Sequence, residues 1–144
     1  MQWAREGYHR VLRHLRPHHP VSQLLRAEQA LEQKRWGVAF ELTTSVLDRQ
    51  AELPGAYLLR AIARLHLDDY TGARHDLHRF LAQSDNPPPI AYFWRGWLYA
   101  NEGEPSLAVP DFERVLAQHP DDPSLLFWLT KAHWMRGDWA QMGD

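Results

Sequence analysis

Apolar positions recur at steps of three and four along most of the chain, and that recurrence is itself repeated. Ala4, Ala39, Ala73 and Ala108 stand 35, 34 and 35 residues apart. Four residues after each comes an aromatic or its substitute: Tyr8, Thr43, Leu77 and Phe112. A hydrophobic pair then follows, Val11-Leu12, Val46-Leu47, Phe80-Leu81 and Val115-Leu116. A second set runs out of phase with the first. Pro20, Pro54, Pro89 and Pro123 are spaced 34, 35 and 34. Each opens an apolar segment, where the fixed φ of proline suits a first helical turn. Arg26, Arg60 and Arg95 keep the same spacing, as do Ala27, Ala61 and Gly96. Short breakers separate the segments: Asp68-Asp69, Glu102-Gly103-Glu104 and Gly137-Asp138. Asn86-Pro87-Pro88-Pro89 and His119-Pro120-Asp121-Asp122-Pro123 separate the units. No stretch alternates as a half-buried strand would. The pattern predicts two amphipathic helices per unit, each of about 12 to 15 residues. Such helix pairs, stacked antiparallel, make an all-α solenoid.

The third unit carries a recognisable signature. It reads Tyr92-x2-Arg95-Gly96-x2-Tyr99, then Ala108-x3-Phe112, then Pro120. This resembles the tetratricopeptide repeat, with its aromatic, Leu-Gly, Tyr, Ala-x3-Phe and Pro at a 34-residue period. The second unit matches at Tyr57, Ala61, Tyr70 and Ala73, the first at Ala27, Trp36 and Ala39. The resemblance implies a right-handed solenoid of antiparallel helix pairs, read here as a single domain over 1–144. It implies full repeats over 20–53, 54–88 and 89–122, a half-repeat helix over 1–19 and a partial repeat over 123–144. The half-repeats admit two explanations. A second copy or another protein supplies the missing halves, or the chain is a piece of a longer repeat protein.

One departure from the signature makes a specific prediction. Arg26, Arg60 and Arg95 occupy the column where the signature prefers Leu, and a buried guanidinium needs a partner. Asp76 and Asp111 stand sixteen residues after Arg60 and Arg95, in the second helix of each pair. Ion pairs Arg60–Asp76 and Arg95–Asp111 are expected. The first unit has Leu42 at that place, so Arg26 is expected to point outward.

The resemblance also implies that the first helices line a concave surface. Spacing assigns to it Leu24 from the first unit and Leu58, Ile62 and Leu65 from the second. The third contributes Phe93, Trp94 and Trp97, and the fourth Phe127, Trp128, Lys131 and Trp134. Some tetratricopeptide domains hold a C-terminal carboxylate there with Lys, Asn and Arg. Only Lys131 and Asn101 stand near those places, so a hydrophobic peptide or amphipathic helix of another protein is the expected occupant. The role implied is adaptor or chaperone-like, as in small bacterial secretion chaperones. The alternative is a scaffold subunit that assembles with itself, as a homo-oligomer, or with a larger complex through its terminal half-repeats.

Composition narrows the chemistry. The chain has 144 residues, a net charge of -2 and no cysteine. Disulfides, thiol catalysis and Cys-ligated zinc are excluded. Residues 1–35 hold seven Arg/Lys against three Asp/Glu, and the remainder nine against fifteen. The basic start reads as a solvated helix face rather than a nucleic-acid site. No apolar run reaches the roughly 20 residues that span a bilayer, and no signal-peptide core opens the chain. A cytoplasmic protein without membrane insertion is expected. His75 and His78 lie three apart, but a metal site needs further ligands. His14, His18 and His19 lie in a Pro-broken turn, and His133 reads as a packing residue. No serine sits in a nucleophile elbow and no glycine loop could cradle phosphate. Neither a cofactor, a metal nor enzymatic activity is expected.

Overall fold

The structure, a computed structural model, describes residues 19–49 and 53–137. Of the expected half-repeat helix over 1–19 all but His19, which opens the first described helix, lies outside them, His14 and His18 included. Seven helices and no strand occur among the described residues: α1 (His19–Glu32), α2 (Trp36–Arg49), α3 (Pro54–His66), α4 (Tyr70–Gln83), α5 (Pro89–Asn101), α6 (Pro105–Gln118) and α7 (Pro123–Arg136). Helices α3, α5 and α7 begin on their prolines, which lack the N–H that a first turn would leave unbonded.

The turn inside each pair is the same device repeated. Lys34 (φ 60), Asp68 (φ 62), Gly103 (φ 76) and Gly137 (φ 88) are the positive-φ positions among the described residues. They are spaced 34, 35 and 34 residues apart. In the first three turns the next residue donates its N–H back across the helix end: Arg35 to Ala30 (2.7 Å), Asp69 to Arg64 (2.9 Å) and Glu104 to Tyr99 (2.8 Å). The left-handed residue itself bonds to Leu31, Leu65 and Ala100 at 3.0, 3.3 and 3.2 Å. This bond pair closes a helix on its own orphan carbonyls and reverses the chain. Side-chain caps then start two of the helices. Asp69 accepts from the Gly72 N–H at 3.0 Å, and Asp122 accepts from the Leu125 N–H at 3.0 Å.

The described residues fall into two compact units, divided after Pro88. In the first, α3 packs against α1, α2 and α4. That position explains its burial, because Gly55 to Leu59, Ala61 to Ala63 and Leu65 are all buried. Trp36 at the start of α2 stacks on His66 at the end of α3, with centroids 3.8 Å apart and planes 15° apart. His66 Nδ1 lies 2.9 Å from the Ile62 carbonyl, which fixes the ring. In the second unit, α6 packs on α5 and α7. Gly96 allows the approach of α5 to α6. A Cβ there would meet the Phe112 ring at 3.0 Å and the Asp111 Cβ at 3.2 Å. Pro110 lies inside α6 on its exposed side, where the freed carbonyl can bond water.

Two predictions concern these backbones. A left-handed L-residue costs about 1 kcal/mol relative to glycine. Lys34→Gly is therefore expected to raise stability by about that amount, and Gly103→Ala to lower it similarly, measured by urea unfolding. A neutral Lys34→Gly together with a neutral Gly103→Ala would defeat the turn account. Gly96→Val is expected to lower stability by about 2 kcal/mol, because neither the Phe112 ring nor the backbone behind Asp111 can retreat cheaply.

Candidate functional site

Two charged stacks recur at the repeat period. Asp76 is fully buried. Arg60 donates to it from Nε (2.9 Å) and Nη2 (2.8 Å), a bidentate fork. Arg64 adds a third bond from Nη1 at 2.9 Å and lies 5.3 Å from the centre of the Phe40 ring. In the second unit Arg95 donates to Asp111 from Nε and Nη2, both at 2.8 Å. The structure thus brings together Arg60 with Asp76 and Arg95 with Asp111. The hydrogen-bonded carboxylate holds each of Arg60 and Arg95 above the ordinary pKa of a guanidinium. Arg26 is exposed.

Each stack has outer members that the sequence reading did not single out. The Tyr57 ring has Arg60 at 5.8 Å and Arg79 at 5.0 Å. The Tyr92 ring has Arg95 at 5.7 Å and Arg114 at 5.0 Å. All four columns (Tyr, Arg, Asp, Arg) are offset by 35 residues. The signal was available: an Arg stands three residues after each Tyr and another three after each Asp. The first repeat has Gln23, Arg26, Leu42 and Ser45 in those columns and cannot build the stack.

The expected groove residues divide into three groups. Leu24, Leu58, Ile62, Leu65 and Phe93 are buried, at 0%, 0%, 1%, 5% and 2% exposure, and so present no surface to a ligand. Their assignment to a groove is corrected. For α3 the reason is its three packing neighbours, which cover the stripe that spacing had turned outward. Leu24 lies in α1, which packs on α2 and α3, and the Phe93 ring lies 5.9 Å from Phe112.

Trp94, Trp97 and Trp128 are half-buried. They form one line of rings. Trp94 meets Trp97 at 5.8 Å, Trp97 meets Trp128 across to α7 at 6.0 Å, and Trp128 meets Phe127 at 5.3 Å, all edge to face. Phe127, Lys131 and Trp134 are exposed. Lys131 Nζ lies 4.9 Å from the Trp128 ring centre. Phe127 is 59% and Trp134 53% exposed, and the spacing i, i+4, i+7 puts them on one stripe with Lys131. Buried Leu125 and Ala132 hold the other side of α7. The line of rings therefore runs from the α5 side of the unit out to solvent on α7.

Among the described residues no three His, Cys, Asp or Glu side chains stand together as metal ligands would. His75 and His78 are exposed on α4, and His133 is half-buried. No described helix is long and apolar enough to cross a membrane.

Breaking a buried ion pair leaves an uncompensated charge. Asp111→Asn is expected to cost about 3 kcal/mol in urea unfolding. Asp76→Asn is expected to cost more, since two guanidiniums lose their carboxylate. Equal and small losses at both positions would show that the stacks contribute little.

No curated protein matches the chain. The tetratricopeptide repeat family model matches it twice, over residues 58–111 and 98–141. Together these matches take in more than half of its length. They cover α5 to α7 entire, with both halves of the Arg95–Asp111 stack. With helices that pack consecutively within each unit and turns that recur at one period, the chain belongs to the tetratricopeptide repeat family, whose repeats mediate protein–protein interaction.

Proposed function

We propose that the chain is a non-catalytic interaction module that holds an apolar segment of a partner protein, as a hydrophobic peptide or an amphipathic helix, on the aromatic face of α5 and α7. The observation that carries this reading is the exposure of Phe127 and Trp134 at 59% and 53%. Large aromatics left in water on one stripe, and continuous with a line of half-buried tryptophans, form the kind of patch that proteins use for binding. Tryptophan is also the residue most often found to dominate an interface when buried by a partner. Trp128 and Trp97 would form the floor of the site and Phe127 and Trp134 its contact ridge. Lys131 would orient the occupant by its charge. Leu24, Leu58, Ile62, Leu65 and Phe93 have no part in it beyond supporting the fold. Such a module serves as an adaptor or a chaperone-like holder of apolar segments, in the cytoplasm.

The test compares wild type with Phe127→Ala/Trp134→Ala. Both changes lie on an exposed face, so the free energy of unfolding is expected to stay within about 0.5 kcal/mol of wild type. A partner captured from the source cell by wild type is expected to bind the double variant at least about 30-fold more weakly, the loss of about 2 kcal/mol typical of a hot spot. A partner retained equally by both proteins would remove the aromatic face from the interface. A mass that grows with concentration in wild type and not in the variant would replace the partner by a second copy.

A further inference from the structure

The earlier repeats show what covers a stripe like the one left open on α7. Resting on the reading of the aromatic face as a binding site, we propose that its occupant is an amphipathic helix of the partner protein, seated antiparallel along Phe127, Thr130 and Trp134 as the second helix of a fourth pair.

Three columns of the first helices carry the argument. Leu24, Leu58, Phe93 and Phe127 share one, and Ala27, Ala61, Gly96 and Thr130 the next. Leu31, Leu65, Ala100 and Trp134 share the third, and all three columns step by 34 or 35 residues. In α1, α3 and α5 every member is buried. In α7 every member is exposed, Phe127 at 59% and Trp134 at 53%. The other side of α7 keeps to the pattern: Leu125 and Ala132 are buried, as Ala91 and Leu98 are in α5. In α5 the partner of the exposed columns is visible. The Phe93 ring lies 5.9 Å from the Phe112 ring, and Gly96 faces Phe112 and Asp111 of α6. Helix α7 thus presents, in the register of the repeat, the seat that α6 fills on α5. An extended peptide suits it less well. Laid on this stripe, it would turn backbone N–H and C=O groups against side chains that cannot bond them, whereas a helix satisfies those groups internally.

The seat also specifies which helix fits. At Gly96 the missing Cβ makes room for Phe112, and a Cβ there would meet that ring at 3.0 Å. Thr130 fills the same room with a branched side chain, so the residue opposite it must be small. The column of Arg60 and Arg95 continues in Leu129, which is half-buried. Leucine cannot pair the carboxylate that Asp76 and Asp111 supply in the earlier second helices, so the occupant carries an apolar residue there. The second helix of the third pair reads Ala108-x2-Asp111-Phe112-x2-Val115-Leu116. The fitting partner keeps that stripe but has Leu in place of the Asp and Ala in place of the Phe.

The experiment uses a fluorescent helical peptide of about sixteen residues carrying Ala-x2-Leu-Ala-x2-Val-Leu, with Glu, Lys and Gln elsewhere, and follows binding by anisotropy. Wild type is expected to bind it, and Phe127→Ala/Trp134→Ala to bind at least about tenfold more weakly. Three altered peptides are each expected to bind wild type at least about tenfold more weakly: one with a central Pro that breaks the helix, one with Asp for the Leu, and one with Phe for the second Ala. Thr130→Gly is expected to reverse the last preference and take the Phe peptide more tightly than the Ala peptide, as Gly96 takes Phe112. Absence of binding by wild type would overturn the proposal, as would an unchanged preference in Thr130→Gly. Equal binding of the Pro peptide would overturn the helix and leave the aromatic face as a site for extended segments. Loss of the aromatic-face reading itself has a separate sign, a captured partner that binds Phe127→Ala/Trp134→Ala as well as it binds wild type. Self-association of wild type that the peptide abolishes would give the seat to a second copy and overturn the assignment to a partner.

Discussion

Asp76 and Asp111 are charges placed where water cannot reach them, and the surrounding sequence answers to that placement. Each needs a guanidinium in reach of both its oxygens, so the helix carrying it can pair with the preceding helix in one register only. A slip of one residue would rotate the Arg away and strand a carboxylate in the core. Replacing such a pair by leucines often costs nothing in stability, so its physical value here lies in specifying the register. The tyrosines extend the same constraint outward. Tyr57 and Tyr92 lie against the inner arginine of their stack and a second, solvent-facing one, so core pairing and surface charge are linked through a single ring.

This constraint is absent from the first repeat, where Gln23, Leu42 and Ser45 replace three of the four members. There the pairing of α1 with α2 rests on apolar packing, and the buried Thr43 hydroxyl is satisfied within α2 itself, by the Ala39 carbonyl at 2.8 Å. One fold accordingly tolerates two ways of fixing a helix pair. The family match begins at residue 58, within the first helix pair that carries the charged stack.

Much of this was legible in the sequence because repetition converts weak signals into strong ones. A proline in a series of four, spaced 34 or 35 residues from one to the next, is a helix start, whereas one proline alone is only a breaker. The sixteen-residue offset of Arg and Asp was readable for the same reason. The groove was not readable in that way. Spacing identifies which residues of α3 share a stripe, but three neighbours surround that helix, and nothing in its own sequence says which stripe stays in water. Ile62 and Leu65 are spaced like Lys131 and Trp134, yet the first pair is core and the second surface. The turns show another limit. Gly103 advertises a left-handed residue, while Lys34 and Asp68 adopt the same conformation without any sign of it, because the flanking helices impose it.

The shared turn has a consequence for how the chain reaches this structure. Its closing bonds span three and five residues, and the helices that it joins are adjacent in sequence. Nearly every contact that defines a pair is therefore between parts of the chain that meet early and at small entropic cost. A chain organised in this way has no single obligatory nucleus. Any of its hairpins can form first and serve as the template for its neighbour, so folding can begin on a nascent chain before the later repeats exist.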